Sequence, residues 1–301
     1  MPPSKRRRLR MSRPPVSYYR ATVPKRTFGA PLRGRSEAAV CVVGGGFAGL
    51  NAALGLAERG VRDVVLLDAH QVGFGASGRN GGFVFGGFSR GEEALLRDLG
   101  HEQARALYAG TTDAVERIRA RIDRYGIACE RVEAGVLWAN WFRDQGVLHD
   151  RRRLLAEHYG IDWQWVPEAE LRERIHSTRY HDGLFEPHAF HFHPLKYAQG
   201  LADAAIGQGV TVHEHSPAIA LERAGAGWRV RTRDGEVEAR TVVLACGGYL
   251  AGLRRRVDAG VMPIATYVMV TEPLGARMGD ILATGAAVYD TRFAFDYYRA
   301  A

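Results

Sequence analysis

The chain has 301 residues, 46% of them apolar, three cysteines and a formal net charge of +8. That length and apolar content suit about two domains with sizeable cores, and an odd cysteine count without a Cys-x-x-Cys pair excludes a disulfide scaffold and a zinc knuckle. The charge is local: residues 1–35 hold eleven Lys and Arg and no acid, and the rest carries 30 basic against 33 acidic residues, which excludes a basic nucleic-acid-binding face on the body.

Residues 1–35 are predicted to be a basic, disordered arm. Its run Lys5-Arg6-Arg7-Arg8-Leu9-Arg10 reads as solvated charge, with a nucleic-acid or membrane-surface patch or a localisation signal as the alternative, and Met11 offers a second start. The apolar stretch from Ala38 to Ala57 follows. Three consecutive glycines and Asn51 make it too polar for a lipid span, and no other segment approaches transmembrane length. A reducing cytoplasm suits the cysteine usage.

Within that stretch lies Val40-Cys41-Val42-Val43-Gly44-Gly45-Gly46-Phe47-Ala48-Gly49, with Val64-Val65-Leu66-Leu67-Asp68 after it. The pattern predicts a buried strand, a glycine turn, a helix carrying Leu50, Leu54 and Ala57, and a second buried strand ending in an acid. Gly44 permits the tight turn, Gly46 lets backbone approach a pyrophosphate, and Gly49 lets the helix pack close to the strand. Phe47 and Ala48 then bring first-turn N–H groups toward the phosphates. Asp68 stands 19 residues after Gly49, where a carboxylate accepts ribose hydroxyls. This context reads as a dinucleotide site.

Further along, Ser89 and Glu92 have the spacing of a capping box. Leu107, Ala114, Val115, Ile118, Ile122 and Tyr125 predict a helix that Gly126 stops. A short strand over 135–138, a helix over 147–159 capped by Gly160, and a helix over 196–208 leading to a strand at 210–214 come next. Ala218–Glu222, Trp228–Thr232 and Glu236–Ala239 predict an antiparallel meander with turns at Gly225–Gly227 and Asp234–Gly235. Val242–Ala245 reads as a buried parallel strand, and residues 261–274 as a strand of a separate sheet. His181, His188, His191 and His193 match no common metal spacing, so no metal is expected.

In that order these pieces resemble the D-amino-acid-oxidase-type family of FAD-dependent oxidoreductases. The resemblance rests on Val40–Gly49 with Asp68, Gly75-Ala-Ser-Gly-Arg-Asn-Gly-Gly82, His191-Phe-His-Pro-Leu-Lys-Tyr197, Leu244–Leu250, Met262-Pro263 and Thr271–Leu274. It implies an α/β fold: an FAD-binding Rossmann-like domain over 36–90 and 194–255, with a parallel sheet and antiparallel meander. A mixed α+β substrate domain follows over 91–193 and 256–301, incomplete at its C-terminal side.

The resemblance also implies the cofactor, FAD, and residues that touch it. Beside Gly44, Gly46, Phe47, Ala48, Gly49 and Asp68 these are Ala69, the loop residues Ala76, Ser77, Arg79, Asn80, Gly81 and Gly82, then Ala218, Ala245 and Gly247. His191 faces a substrate or packs in a loop, and Arg299 meets a substrate carboxylate or pairs across strands. No catalytic acid or base is assigned. The implied activity is oxidation of a C–N bond of an amine or amino acid, by hydride transfer to flavin N5 and imine hydrolysis, with oxygen or an electron carrier as acceptor. The alternative is a truncated, non-catalytic remnant that holds FAD weakly or not at all, and a nicotinamide-dependent enzyme is a weaker third reading.

Overall fold

A computed structural model describes residues 16–301; the Lys5–Arg10 run and Met11 lie outside them. The strands in chain order are β1 Gly34–Val43, β2 Val64–Leu67, β3 Phe83–Val84, β4 Val136–Ala139, β5 Gln164–Val166, β6 Gly183–Glu186 and β7 Phe190–His191. They continue with β8 Thr211–His213, β9 Ala220–Ala224, β10 Gly227–Arg231, β11 Gly235–Leu244, β12 Ala287–Asp290 and β13 Tyr297–Tyr298. The helices used below are α1 Tyr18–Ala21, α2 Phe47–Glu58, α3 Glu92–Leu99, α4 His101–Arg124, α5 Gly146–Leu154, α6 Glu168–Arg174 and α7 Pro194–Gly207.

The chain divides into two compact units, one holding the residues up to Asn80 with Pro194–Val268 and the other Gly81–His193 with Met269–Ala301. The cut before Pro194 falls at the expected position, whereas those after Asn80 and after Val268 replace the expected limits at 90 and 255. Residues 81–90 go with the second unit because β3 pairs antiparallel with β7 there.

The first unit is built on a six-stranded sheet in the order β8-β2-β1-β11-β10-β9. β1 runs parallel to both β2 and β11, and burial on both faces explains its run of apolar residues: Cys41 and Val42 are 0% exposed. Helix α2 packs against α7. Leu50 and Leu54 of α2 are fully buried, each contributing roughly 2 kcal/mol. That offsets the helix-propensity cost of Gly49 and Gly55, about 1 kcal/mol each.

Three expectations are revised. The predicted meander strand 236–239 and parallel strand 242–245 are one ten-residue strand, β11. Its first half pairs antiparallel with β10, while its whole length runs beside β1. The far edge of Thr241–Leu244 has no strand among the described residues, and Val242, Val243 and Leu244 are half-buried. Second, the arm predicted as disordered over 1–35 is anchored from its described half onward. Helix α1 forms there, Phe28 N–H donates to the buried Glu214 carboxylate at 3.0 Å, and Leu32 N–H donates to Ser216 Oγ at 2.9 Å. Third, residues 261–274 form no ladder, with Met262 and Tyr267 80% and 88% exposed; a strand needs a hydrogen-bonded neighbour, and none is among the described residues.

The second unit holds a five-stranded sheet, β13-β12-β4-β6-β5. One face packs Leu137, Val166, Leu171 and Val288, and the other side carries Tyr108, Leu148, Tyr159, Trp163 and Leu184. Helix α4 ends before Gly126 as predicted, but its buried stripe is Ala104, Tyr108, Val115 and Ile122, while Leu107 and Ala114 face outward. The capping box does not form. Gly91 caps α3, and Glu92 turns inward to accept from Arg151 at 2.7 Å.

Among the described residues no helix is long and apolar enough to cross a membrane.

Candidate cofactor site

The glycine turn in the first unit is fixed by contacts that only glycine allows. Gly44 has φ +117°, and a Cβ there would stand 2.5 Å from Ala245 O. A Cβ on Gly49 would stand 1.8 Å from Gly44 O, so the first turn of α2 lies against the strand end. Gly46 caps α2, which has no acidic residue in its first turn and no side-chain bond from its cap. The positive end of the helix dipole is therefore not offset by a carboxylate of its own, the arrangement that suits an anionic ligand.

Ser77 stands at the same helix end. Its Oγ accepts from Phe47 N–H at 2.9 Å, and a Cβ on Gly46 would come within 2.8 Å of that oxygen. Asn80 turns its amide back onto Ala76 O and Ser77 O, both at 3.1 Å, which stiffens the loop. Arg79 donates to Tyr249 Oη at 3.1 Å and lies over the Phe74 ring. Thus Ser77 is tied to α2 and Arg79 to the turn after β11, while Ala76 and Asn80 are bonded within the loop itself.

Asp68 ends β2 and is more than a strand terminus. Its Oδ2 accepts from Gly45 N–H and its Oδ1 from His70 N–H, each at 2.7 Å. The acid therefore clamps the glycine turn as well as presenting lone pairs to hydroxyl donors. Burial raises its pKa, and the two backbone N–H bonds oppose that rise. Ala69 beside it is exposed, and His70 stacks on Phe74 at 3.8 Å. Burial lowers the pKa of His70, so the neutral ring is favoured.

β11 delivers Ala245 and Gly247 to the same turn. Ala245 N–H donates to Val43 O at 2.8 Å, and Gly247 takes a positive φ of 53°. Cys246 between them donates its thiol to Val43 O, and burial pushes its pKa up to about 11. That thiol is a small half-buried group whose raised pKa disfavours the nucleophilic thiolate. Ala218 is half-buried against the sheet core just before β9.

The donor set fits a flavin dinucleotide. Gly46, Ala48 and Gly49 offer backbone N–H groups to a diphosphate, Asp68 offers acceptors to ribose hydroxyls, and a Cβ on Gly247 would meet nothing within 4 Å. Two supporting residues carried no signal in the sequence. Tyr249 earns its place only through Arg79, and Glu214 by bonding Val72 N–H and Phe28 N–H from distant segments.

The second unit holds the remaining predicted residues. Gly82 has φ +76°, and its carbonyl accepts from Phe192 N–H at 2.9 Å. His191, 2% exposed, pairs with Phe83 across β3 and β7, and its Nε2 lies 3.0 Å from Gly285 O. Since a carbonyl only accepts, Nε2 carries the proton, and burial lowers the pKa so that the ring stays neutral. Its Nδ1 is buried with no partner in the structure. Arg299 donates to Gly81 O, Ala300 O and Phe192 O. Two acids went unnoticed in the sequence: Asp182, 0% exposed, and half-buried Glu186, whose Oε2 is enclosed and whose pKa desolvation pushes up to about 7. Among the described residues no group of three or more His, Cys, Asp or Glu is arranged to hold a metal ion.

The family model for FAD dependent oxidoreductases of the DAO type matches residues 39–300. The chain is 33% identical over 285 residues to gamma-glutamylputrescine oxidoreductase of Escherichia coli, covering 94% of this chain and 66% of that protein. It is 32% identical over 275 residues to the probable oxidoreductase OrdL of Haemophilus influenzae, covering 89% of this chain and 64% of the relative. The chain thus spans about two thirds of the length of these curated relatives. Among solved structures, glycine oxidase from Geobacillus kaustophilus superposes with a TM-score of 0.60 at 25% identity, over 74% of this chain and 58% of that one. L-proline dehydrogenase from P. horikoshii, at 18% identity, shares the fold with a TM-score of 0.64 over 90% of this chain and 68% of its own. With the fingerprint, the meander and the matched span in agreement, the chain belongs to the DAO family of FAD-dependent oxidoreductases.

Proposed function

We propose that this protein binds FAD through its first unit and oxidises the C–N bond of an amine or amino acid. The observation that carries the reading is the Gly44–Gly49 turn clamped by Asp68, with the N-terminus of α2 free of acidic residues. The backbone N–H groups of Ala48 and Gly49 hold the diphosphate, and Ser77, which accepts from Phe47 N–H, turns its hydroxyl donor to that helix end. Asp68 accepts from the ribose, with Ala69 beside it, and Ala218 lies toward the adenine. The loop from Ala76 to Gly82, with Ala245 and Gly247, borders the isoalloxazine. When bound, FAD supplies a hydride acceptor at N5 for the C–H beside the substrate nitrogen, and water hydrolyses the resulting imine. Buried and neutral, His191 can accept a hydrogen bond at Nδ1 but carries no charge to repel an amine. No side chain of the second unit is assigned as a base. Oxygen or an electron carrier takes the electrons onward.

Similarity to a gamma-glutamylputrescine oxidoreductase and a glycine oxidase supports a nitrogen-bearing substrate. A second reading is a remnant that holds no flavin, and the half-buried open edge at Thr241–Leu244 favours it. One experiment separates the two. The purified protein is incubated with FAD, desalted and mixed without oxygen with gamma-glutamylputrescine, glycine and proline. Retained visible flavin absorption that one of these bleaches is the expected result. A colourless protein after desalting would establish the remnant.

A further inference from the structure

Arg299 follows β13, and the family resemblance sets it against a substrate carboxylate. The structure gives its guanidinium other work. Nε donates to Gly81 O at 2.8 Å, Nη2 to Phe192 O at 3.1 Å and Nη1 to Ala300 O at 3.0 Å. Gly81 and Phe192 flank one pairing, since Phe192 N–H donates to Gly82 O at 2.9 Å. The planar fork therefore bridges two backbone segments across a single rung, a task for rigid, delocalised geometry.

The bridged backbone has no space for side chains. A Cβ on Gly82 would stand 2.0 Å from Phe192 O and 3.4 Å from Arg299 Nη2, at a φ of +76°. A Cβ on Gly81 would stand 2.6 Å from the Tyr297 ring. Arg299 and Tyr297 thus hold the pair Gly81–Gly82 from one short segment. A two-point pair with a carboxylate uses two neighbouring N–H groups of the fork. Three of the five guanidinium N–H groups already serve backbone carbonyls, and Nε has no second N–H, so a carboxylate could take the Nε–Nη2 edge only by breaking a bond that shapes the loop.

We propose that Arg299 is a positioning residue that fixes the Gly81–Gly82 backbone for the flavin, and that it does not anchor a substrate carboxylate. The assignment rests on the proposed reading of the protein as an FAD-binding oxidoreductase. It accounts for a strong cation beside neutral acceptors, where a charge-assisted bond is about twice as strong as a neutral one. It also gives the cation a second effect: with burial, its charge lowers the proton affinity of His191 and keeps that ring neutral.

The test compares wild type with Arg299→Gln and Arg299→Lys. FAD is titrated into each with flavin fluorescence as the readout, and the visible bands of the bound flavin are recorded. KM and kcat are then measured on a matched pair of substrates, one amine with and one without an α-carboxylate. Both variants are expected to bind FAD about tenfold more weakly and to shift the flavin bands. They are also expected to lose kcat by a similar factor on both substrates. Lysine keeps the charge but not the fork, so it does not rescue. If Arg299→Gln fails to fold, Arg299→Lys carries the same comparison. Unchanged FAD affinity and bands, with a KM increase confined to the carboxylated substrate, would overturn the assignment, and so would full rescue by lysine. A wild-type protein that takes up no FAD would overturn the underlying reading and this assignment together, whereas uptake indifferent to residue 299 would overturn this assignment alone.

Discussion

Asp68 ties the end of β2 to the glycine turn, at the place proposed for a ribose. It accepts from Gly45 N–H and His70 N–H while buried enough for its pKa to rise. Asparagine keeps one acceptor and turns an N–H₂ group toward one of those donors. Asp68→Asn is therefore expected to cost about 2 kcal/mol of stability and to weaken FAD by about tenfold or more. Thermal unfolding and a flavin titration check the two effects separately. A variant with unchanged affinity would remove Asp68 from the site. At the same scale, burial pushes the thiols of Cys41 and Cys246 up to about 12 and about 11. Both are expected to resist alkylation at pH about 8, where a free cysteine reacts readily. Rapid labelling of Cys246 in the folded protein would contradict this.

At the level of elements, the sheet of the second unit carries a half-buried acid with a measurable cost. Glu186 ends β6, and its Oε2 is buried without a partner in the structure. Burial raises its pKa from 4.5 to about 7, with Arg151 opposing and Glu92 reinforcing the shift. An acid whose folded pKa lies above its unfolded value is stabilising at low pH and loses that contribution as pH rises. The window here runs from about 4.5 to about 7, and the loss is at most roughly 3 kcal/mol. Glu186→Gln is expected to flatten the fall in unfolding temperature across that window and to be the more stable form above it. Parallel pH profiles for the two proteins would refute the burial argument.

The elements also show what a sequence can and cannot reveal. β1, α2 and β2 were legible because burial on both faces and glycine-only contacts write themselves into residue type. The meander was legible from its turns. The continuity of β11 was not, since the polar pair Arg240–Thr241 interrupts its apolar pattern while the ladder to β1 continues through Thr241. Helix α4 was found but its buried face was misjudged, because Leu107 and Tyr108 are adjacent and only packing decides which turns inward. The Ser89–Glu92 box failed for a related reason: Arg151, distant in sequence, draws Glu92 into the interior.

Over the whole molecule, the resemblance supplied two domains interleaved along the chain, and contacts set their limits at Asn80, Pro194 and Met269. The candidate site followed the same pattern. Its glycines and acid were visible in the sequence, whereas the carbonyls that Arg299 bonds, the Tyr249 partner of Arg79 and the Glu214 clamp depend on segments far apart in the chain. The central claim is that the first unit holds FAD on the turn that Asp68 clamps. The direct measurement is a calorimetric titration of FAD into the purified flavin-free protein, repeated with Gly49→Ala, whose Cβ would stand 1.8 Å from Gly44 O. Saturable one-to-one binding by wild type, lost or strongly weakened in a folded Gly49→Ala, is the expected result. No binding by wild type, or equal binding by both proteins, would contradict the account.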